Sequence, residues 1–221
     1  MVITYIRHGE SEFNSKGIMQ GNDDPKLSSK GLKQAEALAD RLKDIREAQV
    51  FSSPLERAHH TARIAASGMG TDITLIEDLK EIDIGDFSTR TWDQIKIKYP
   101  EHFLQPNATI WDLFRHNQIP GQEPYEAMTQ RIAHALSLIE TRSNGSHPII
   151  FGHGGFIRIF IAEQLGFRLV RESFKIENTS ITLFDYAGGK ATFHRINDTH
   201  HLRHPDLKSK TPYVSDYLSM I

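Results

Sequence analysis

Short apolar runs alternate with amphipathic stretches along most of this chain. Met1–Ile6 is β-branched and apolar, stops at the polar Arg7, and predicts a buried strand. Residues 15–28 are rich in Gly, Asn, Asp, Ser and Pro, which is loop chemistry. Behind a Ser28 or Ser29 cap, Leu32, Ala35, Leu38, Ala39 and Leu42 recur at helical spacing to about residue 46. Gln49–Ser52 predicts a second strand, running into Ser53-Pro54 and a helix from Leu55 to Ser67 that Gly68 and Gly70 close. Ile73–Ile76 predicts a third strand. The middle is less regular: Leu79 to Phe87 predicts a loop, Trp92–Tyr99 a short helix, and Glu101–Ile119 helical fragments. After the break at Pro120-Gly121-Gln122, Ala127, Ile132, Ala135, Leu136 and Ile139 mark the inner face of a long helix, Glu123 to Arg142. Pro148–Phe151 predicts a buried strand that runs into Gly152-His153-Gly154-Gly155, and Phe156–Leu165 an apolar helix ended by Gly166. Ser180–Tyr186 and Lys190–Asn197 flank Ala187-Gly188-Gly189, a hairpin signal.

Strands alternating with helices imply an α/β fold. The expected architecture is three layers, α/β/α, around a mostly parallel sheet with one antiparallel strand from the closing hairpin. No linker, repeat or low-complexity tract divides the chain. The expectation is one domain over residues 1–221, with a cap at about 85–120 and a tail at about 198–221.

Composition narrows the chemistry. A formal net charge of -2 argues against a general nucleic-acid partner, which calls for a basic excess. With no cysteine, thiol catalysis and Cys-ligated zinc are excluded. No charged segment followed by a long apolar one opens the chain, and no apolar run reaches the roughly 20 residues of a membrane span. The expectation is a cytoplasmic protein with no membrane partner; the sequence leaves its oligomeric state open.

Two strands end in the same way. Met1–Ile6 runs into Arg7-His8-Gly9, and Pro148–Phe151 into Gly152-His153-Gly154. Open α/β sheets bind ligands beyond the carboxyl ends of their strands, and a glycine-rich helix start offers N–H groups to an anion. Taken singly, each histidine is most simply a structural one. Two such strand ends in one parallel sheet favour a shared site. Arg57, in the first turn of the helix after the second strand, sits at the same sheet edge and can turn a guanidinium to a phosphate there. His59-His60 are helix neighbours that do not share a face, which argues against a metal pair. Glu81 and Asp83 lie on the acidic loop; by themselves they read as surface acidity. His200, His201 and His204 in the tail match no strong metal-ligand spacing.

The ordered set of motifs resembles the histidine phosphatase superfamily, the phosphoglycerate-mutase-like proteins. Arg7-His8-Gly9-Glu10-Ser11-x-x-Asn14 is similar to its signature. Gly21, Asp24, Leu27, Ser28, Gly31, Gln34 and Ala35 match its loop and first helix. Ser53-x-Leu55-x-Arg57-Ala58-x-x-Thr61-Ala62, Leu79-x-Glu81-x-x-x-Gly85, Gly121-x-Glu123 and Gly152-His153-Gly154 match the motifs that follow, over roughly residues 1–185. The resemblance implies a nucleophile, His8, that takes up a phosphoryl group, and holders of its oxygens in Arg7, Arg57 and His153. It implies further phosphate contacts from Asn14, Gly154, Gln20 and Gly21, and an acid in Glu81, with Asp83 in reserve. It implies a small phosphorylated substrate, no cofactor and no metal, since permanent guanidinium charges neutralise the phosphate. The chain reads Gly121-Gln122-Glu123-Pro124 where the family often has Gly-Gly-Glu-Ser, and Ser11 where many members have Thr. The segment from Gly85 to Pro120 is shorter than the insertion of the mutases, which favours a hydrolase. A mutase, or a non-catalytic phosphate-binding module, are the alternatives. The aromatics of that segment, Trp92, Tyr99, Phe103, Trp111 and Phe114, are expected to form the substrate cap, mostly by packing on one another.

Overall fold

The computed structural model describes residues 1–45, 47–103, 109–168, 174–203 and 207. Six strands make one mixed sheet: β1 (Val2–Arg7), β2 (Ala48–Ser52), β3 (Ile73–Leu75), β4 (His147–Gly152), β5 (Ile181–Ala187) and β6 (Lys190–Asp198), in the order β3-β2-β4-β1-β5-β6. β1, β2, β3 and β4 pair in parallel; β5 runs against β1 and against β6, so it alone opposes the others.

The pleat divides the apolar side chains between two faces. Ile3, Tyr5, Phe51 and Ile150 point into one core, with Ile132, Ala135 and Ile139 of α6 (Tyr125–Ser143) and Phe156, Ile159 and Phe160 of α7 (Gly154–Leu165). Ile6, Val50, Ile149 and Phe151 point into the other. There they meet Leu38 and Leu42 of α2 (Ser29–Leu42) and Ala62 and Ala65 of α3 (Glu56–Ala65). Helices therefore cover both faces, as the alternating pattern predicts. Among the described residues no helix is long and apolar enough to cross a membrane.

Three local features depart from the sequence expectation. Residues 12–16 form a short helix, α1 (Glu12–Lys16), at the start of the expected loop. Ser11 and Asn14 close a reciprocal capping box and Gly17 ends the helix in the left-handed region, so caps rather than apolar period define it. The expected loop from Leu79 holds 3-10 turns at Glu77–Leu79 and Gly85–Phe87. α7 begins at Gly154, two residues early, where the Glu81 carboxylate accepts from the N–H groups of Gly155 and Phe156. Between Gly85 and Pro120 the chain forms α4 (Trp92–Lys98), a 3-10 turn at Pro100–Phe103 and α5 (Ile110–Arg115). Of the tail, Leu202 is buried and His201 bonds Thr179 Oγ1 at 3.1 Å, so this part packs on the body. His204 and residues 208–221 lie outside the described residues.

Candidate active site

β1 and β4 are neighbours, with Arg7 opposite Gly152, and the His8 N–H donates to the Gly152 carbonyl at 2.9 Å. Parallel pairing thus brings the two His-Gly strand ends side by side, and the imidazole centroids of His8 and His153 stand 5.3 Å apart. β2 lies beyond β4, with Ser52 opposite Phe151, which puts the start of α3 and Arg57 at the same edge. A cavity of about 570 Å³ opens there. Arg7, His8, Asn14, Gln20, Gly21, Arg57, Glu81 and Gly154 all line it.

His8 is 2% exposed, and its Nδ1 lies 2.6 Å from the Gly9 carbonyl oxygen. A carbonyl only accepts, so Nδ1 carries the proton and Nε2 keeps its lone pair. Burial holds the imidazole far below its ordinary pKa; the Arg57 and Arg7 charges push the same way, against the bond to Gly9. Gly9 is fixed in turn, its N–H donating to Thr61 Oγ1 at 2.9 Å while that hydroxyl donates to the Arg57 carbonyl at 2.7 Å.

Arg57 is 0% exposed and grips the loop before α2, donating to the Asp23 and Gly21 carbonyls at 2.6 and 2.8 Å. Asp24 lies 3.6 Å away. Burial lowers this guanidinium to about 10, yet it stays protonated at neutral pH. Arg7 donates to the Ile176 carbonyl at 2.6 Å. The Nε atoms of both arginines are buried without a partner among the described residues.

His153 is completely buried and is not among the residues lining the cavity. Its Nε2 meets Ser53 Oγ at 2.7 Å, and its Nδ1 has no partner among the described residues. The Tyr5 hydroxyl donates to its carbonyl at 3.1 Å and accepts from its N–H at 2.7 Å. Gly152 makes this clamp possible, because a Cβ there would stand 2.1 Å from the Tyr5 oxygen. Tyr5 escaped the sequence reading because in an apolar strand it looks like core.

The Glu81 carboxylate sits on the N-terminus of α7, accepting from Gly155 N–H at 2.9 Å and from Phe156 and Ile82 N–H at 3.0 Å each. Positive helix ends hold anions in this way. Asp83 does not line the cavity; its carboxylate accepts from Gly85 N–H at 2.9 Å inside the turn. Arg131, absent from the sequence reading, fixes the Glu81 segment by donating to the carbonyls of Asp78, Lys80 and Glu81. Glu123 holds Arg131 by two bonds of 2.8 and 2.7 Å, so its contact with the site is indirect. Asn14 Oδ1 accepts from Ser11 N–H, and Gln20 Oε1 from the Ser11 hydroxyl at 2.7 Å. The remaining wall is largely apolar: Ile18, Ile82, Ile84, Trp92, Phe103 and Trp111.

His8 and His153 leave a stability signature. Both imidazoles are held neutral, chiefly by burial. The unfolded chain takes up protons at these two positions as pH falls below about 6.5, and the folded protein does not until its much lower pKa values are reached. Their stabilisation is therefore fully present above pH 6.5 and is lost progressively below it. Chemical denaturation at pH 7.5 and 5.5 should show a loss of about 3 kcal/mol from the pair. Equal stability at both values would show that the two rings protonate freely in the fold.

A family model described as "Histidine phosphatase superfamily (branch 1)" matches residues 3–199. A relative named "Probable phosphoglycerate mutase GpmB", from Salmonella paratyphi C (strain RKS4594), is 30% identical over 183 residues, covering 82% of this chain and 83% of its own. Among solved structures, Bacillus stearothermophilus YhfR superposes with a TM-score of 0.78 at 29% identity, covering 90% of this chain and 98% of its own. Phosphoserine phosphatase from Entamoeba histolytica, solved with 3-phosphoglyceric acid, gives 0.74 at 26% identity over 91% and 98%. Motif order, sheet topology and the family match agree: the chain belongs to branch 1 of the histidine phosphatase superfamily.

Proposed function

We propose that this protein hydrolyses small phosphate monoesters through a phosphohistidine on His8. One observation carries the reading: the Nδ1 contact with the Gly9 carbonyl leaves a neutral Nε2 lone pair at the cavity wall, beside two arginines. In the first step Nε2 attacks phosphorus, the P–N bond forms, and the bond to the ester oxygen breaks. Glu81 gives that oxygen a proton, so a neutral alcohol leaves. In the second step water attacks phosphorus, returns a proton to Glu81, and releases phosphate from Nε2.

Arg7 and Arg57 neutralise the non-bridging oxygens, and fixed charges in a desolvated site need little reorganisation. The Gly154 N–H at the start of α7 adds a donor, and Asn14, Gln20 and Gly21 line the same cavity. With the Ser53 hydroxyl donating a hydrogen bond to its Nε2, His153 carries its ring proton on Nδ1, a donor without a partner among the described residues, next to the ring of His8. The guanidinium charges supply the neutralisation that other phosphatases draw from metal ions.

The relative named as a mutase makes the competing reading concrete. The protein is mixed with radiolabelled 3-phosphoglycerate in chelator and a bisphosphoglycerate primer, then quenched in alkali. We expect base-stable, acid-labile label on the protein, and free phosphate formed faster than 2-phosphoglycerate. Faster isomerisation would make the protein a mutase, and label never appearing on the protein would remove the covalent mechanism.

A further inference from the structure

Arg158 also lines the cavity and has no place in the mechanism above. It lies on α7 one turn beyond Gly154, about 6 Å along the axis. Its guanidinium carbon lies 5.7 Å from the Trp111 ring centroid, so a residue of α5 braces it. Among the described residues its buried Nε has no acceptor and no carboxylate forms an ion pair with it.

The acids that face it are already placed. Three backbone N–H groups hold the Glu81 carboxylate. Glu177, 6% exposed, acts on both Arg158 and Arg7 from a distance and pairs with neither. Arg7, Arg57, Arg158 and Lys96 thus bring four cations to a cavity whose only lining carboxylate among the described residues is Glu81. A phosphate ester carries at most two negative charges, which Arg7 and Arg57 match. A half-buried guanidinium whose Nε is out of reach of water and which has no carboxylate partner among the described residues is best matched by an anion that enters the cavity. Stacking on Trp111 orients the fork but leaves its charge unneutralised.

We propose that Arg158, braced on Trp111, forms a second anion subsite that binds a carboxylate or second phosphate on the alcohol part of the substrate. The preferred substrates are therefore phosphomonoesters with two anionic ends, lying between His8 and α5. The inference rests on the phosphatase reading only for the phosphate end, so its test is a binding measurement that needs no turnover.

Calorimetry in the His8→Ala background compares glycerol 3-phosphate, 3-phosphoglycerate and propane-1,3-diol bisphosphate. We expect at least one doubly anionic ligand to bind about tenfold or more tighter than glycerol 3-phosphate. A larger gain with 3-phosphoglycerate identifies a carboxylate site, and one with the bisphosphate a phosphate site. Adding Arg158→Met should bring the affinity ratio close to one, and adding Arg158→Lys should keep part of it. No preference in the His8→Ala protein overturns the proposal even if Arg158→Met fails to fold, and so does a preference that Arg158→Met leaves intact. A preference that depends on Arg158 in a protein whose wild type releases no phosphate would uphold the subsite while removing the hydrolase reading.

Discussion

Replacing His8 by alanine should lower steady-state hydrolysis of a phosphate monoester by at least about four orders of magnitude. The same change should erase the acid-labile phosphoprotein. The size of the loss follows from the absence of a substitute. The chain has no cysteine. The neighbouring imidazole of His153 is fully buried, is bonded to Ser53 through Nε2, and stands 5.3 Å from His8 centroid to centroid. Water reaching phosphorus in the emptied space would lack an oriented lone pair in the attacking position. Affinity for inorganic phosphate should change far less, by about tenfold at most, because Arg7, Arg57 and the Gly154 N–H are untouched. Isotope-labelled ester and equilibrium phosphate binding, on the same preparation, separate the two effects. Turnover within about a hundredfold of wild type in a homogeneous alanine variant would remove His8 from the covalent role.

Much of this site is legible in the chain because one topological rule assembles it. Parallel strands with similar endings bring those endings to one edge, so Arg7-His8-Gly9 and Gly152-His153-Gly154 converge with no knowledge of side-chain contacts. Arg57 follows from the same rule applied to β2 and α3. Apolar period similarly predicts α2 and α6, whose inward faces are long enough to read. What stays hidden is set by contacts distant in sequence or by residues that look ordinary. Tyr5 resembles any strand aromatic, and its clamp on His153 crosses 148 positions. Arg158 is the one cation within an otherwise apolar stretch of α7, and that isolation was the available signal. Trp111 identifies itself as its brace only after α5 has folded against α7, a contact to which Arg168, three residues past the end of α7, adds a tie to Asp112 at 2.7 Å. Fully burying His153 beside His8, rather than exposing it to the cavity, depends on Ser53 and Tyr5 together, which no local pattern encodes.

The choice between Glu81 and Asp83 rests on resemblance in the sequence, and the geometry turns it into a leaving-group experiment. Glu81 faces the cavity from the start of α7, whereas Asp83 is engaged in its own turn with Gly85. Glu81→Gln keeps the side-chain length but cannot give up or receive a proton. It also sets an amide donor against one of the N–H groups of α7, so a purely structural loss has to be separated from a chemical one. An alkyl phosphate needs its departing oxygen protonated, and 4-nitrophenyl phosphate does not. With Glu81→Gln, the single-turnover rate on an alkyl ester should fall by about 10²–10⁴. The 4-nitrophenol burst should stay within about tenfold of wild type, followed by slow turnover, because water attack on phospho-His8 still lacks its base. Asp83→Asn should leave both rates within about threefold. A displaced α7 or misplaced arginines would slow the two esters equally, since both pass through the same phosphoryl position. Equal losses would therefore make Glu81 a positioning residue for the start of α7, and a loss confined to Asp83→Asn would move the acid to that side chain.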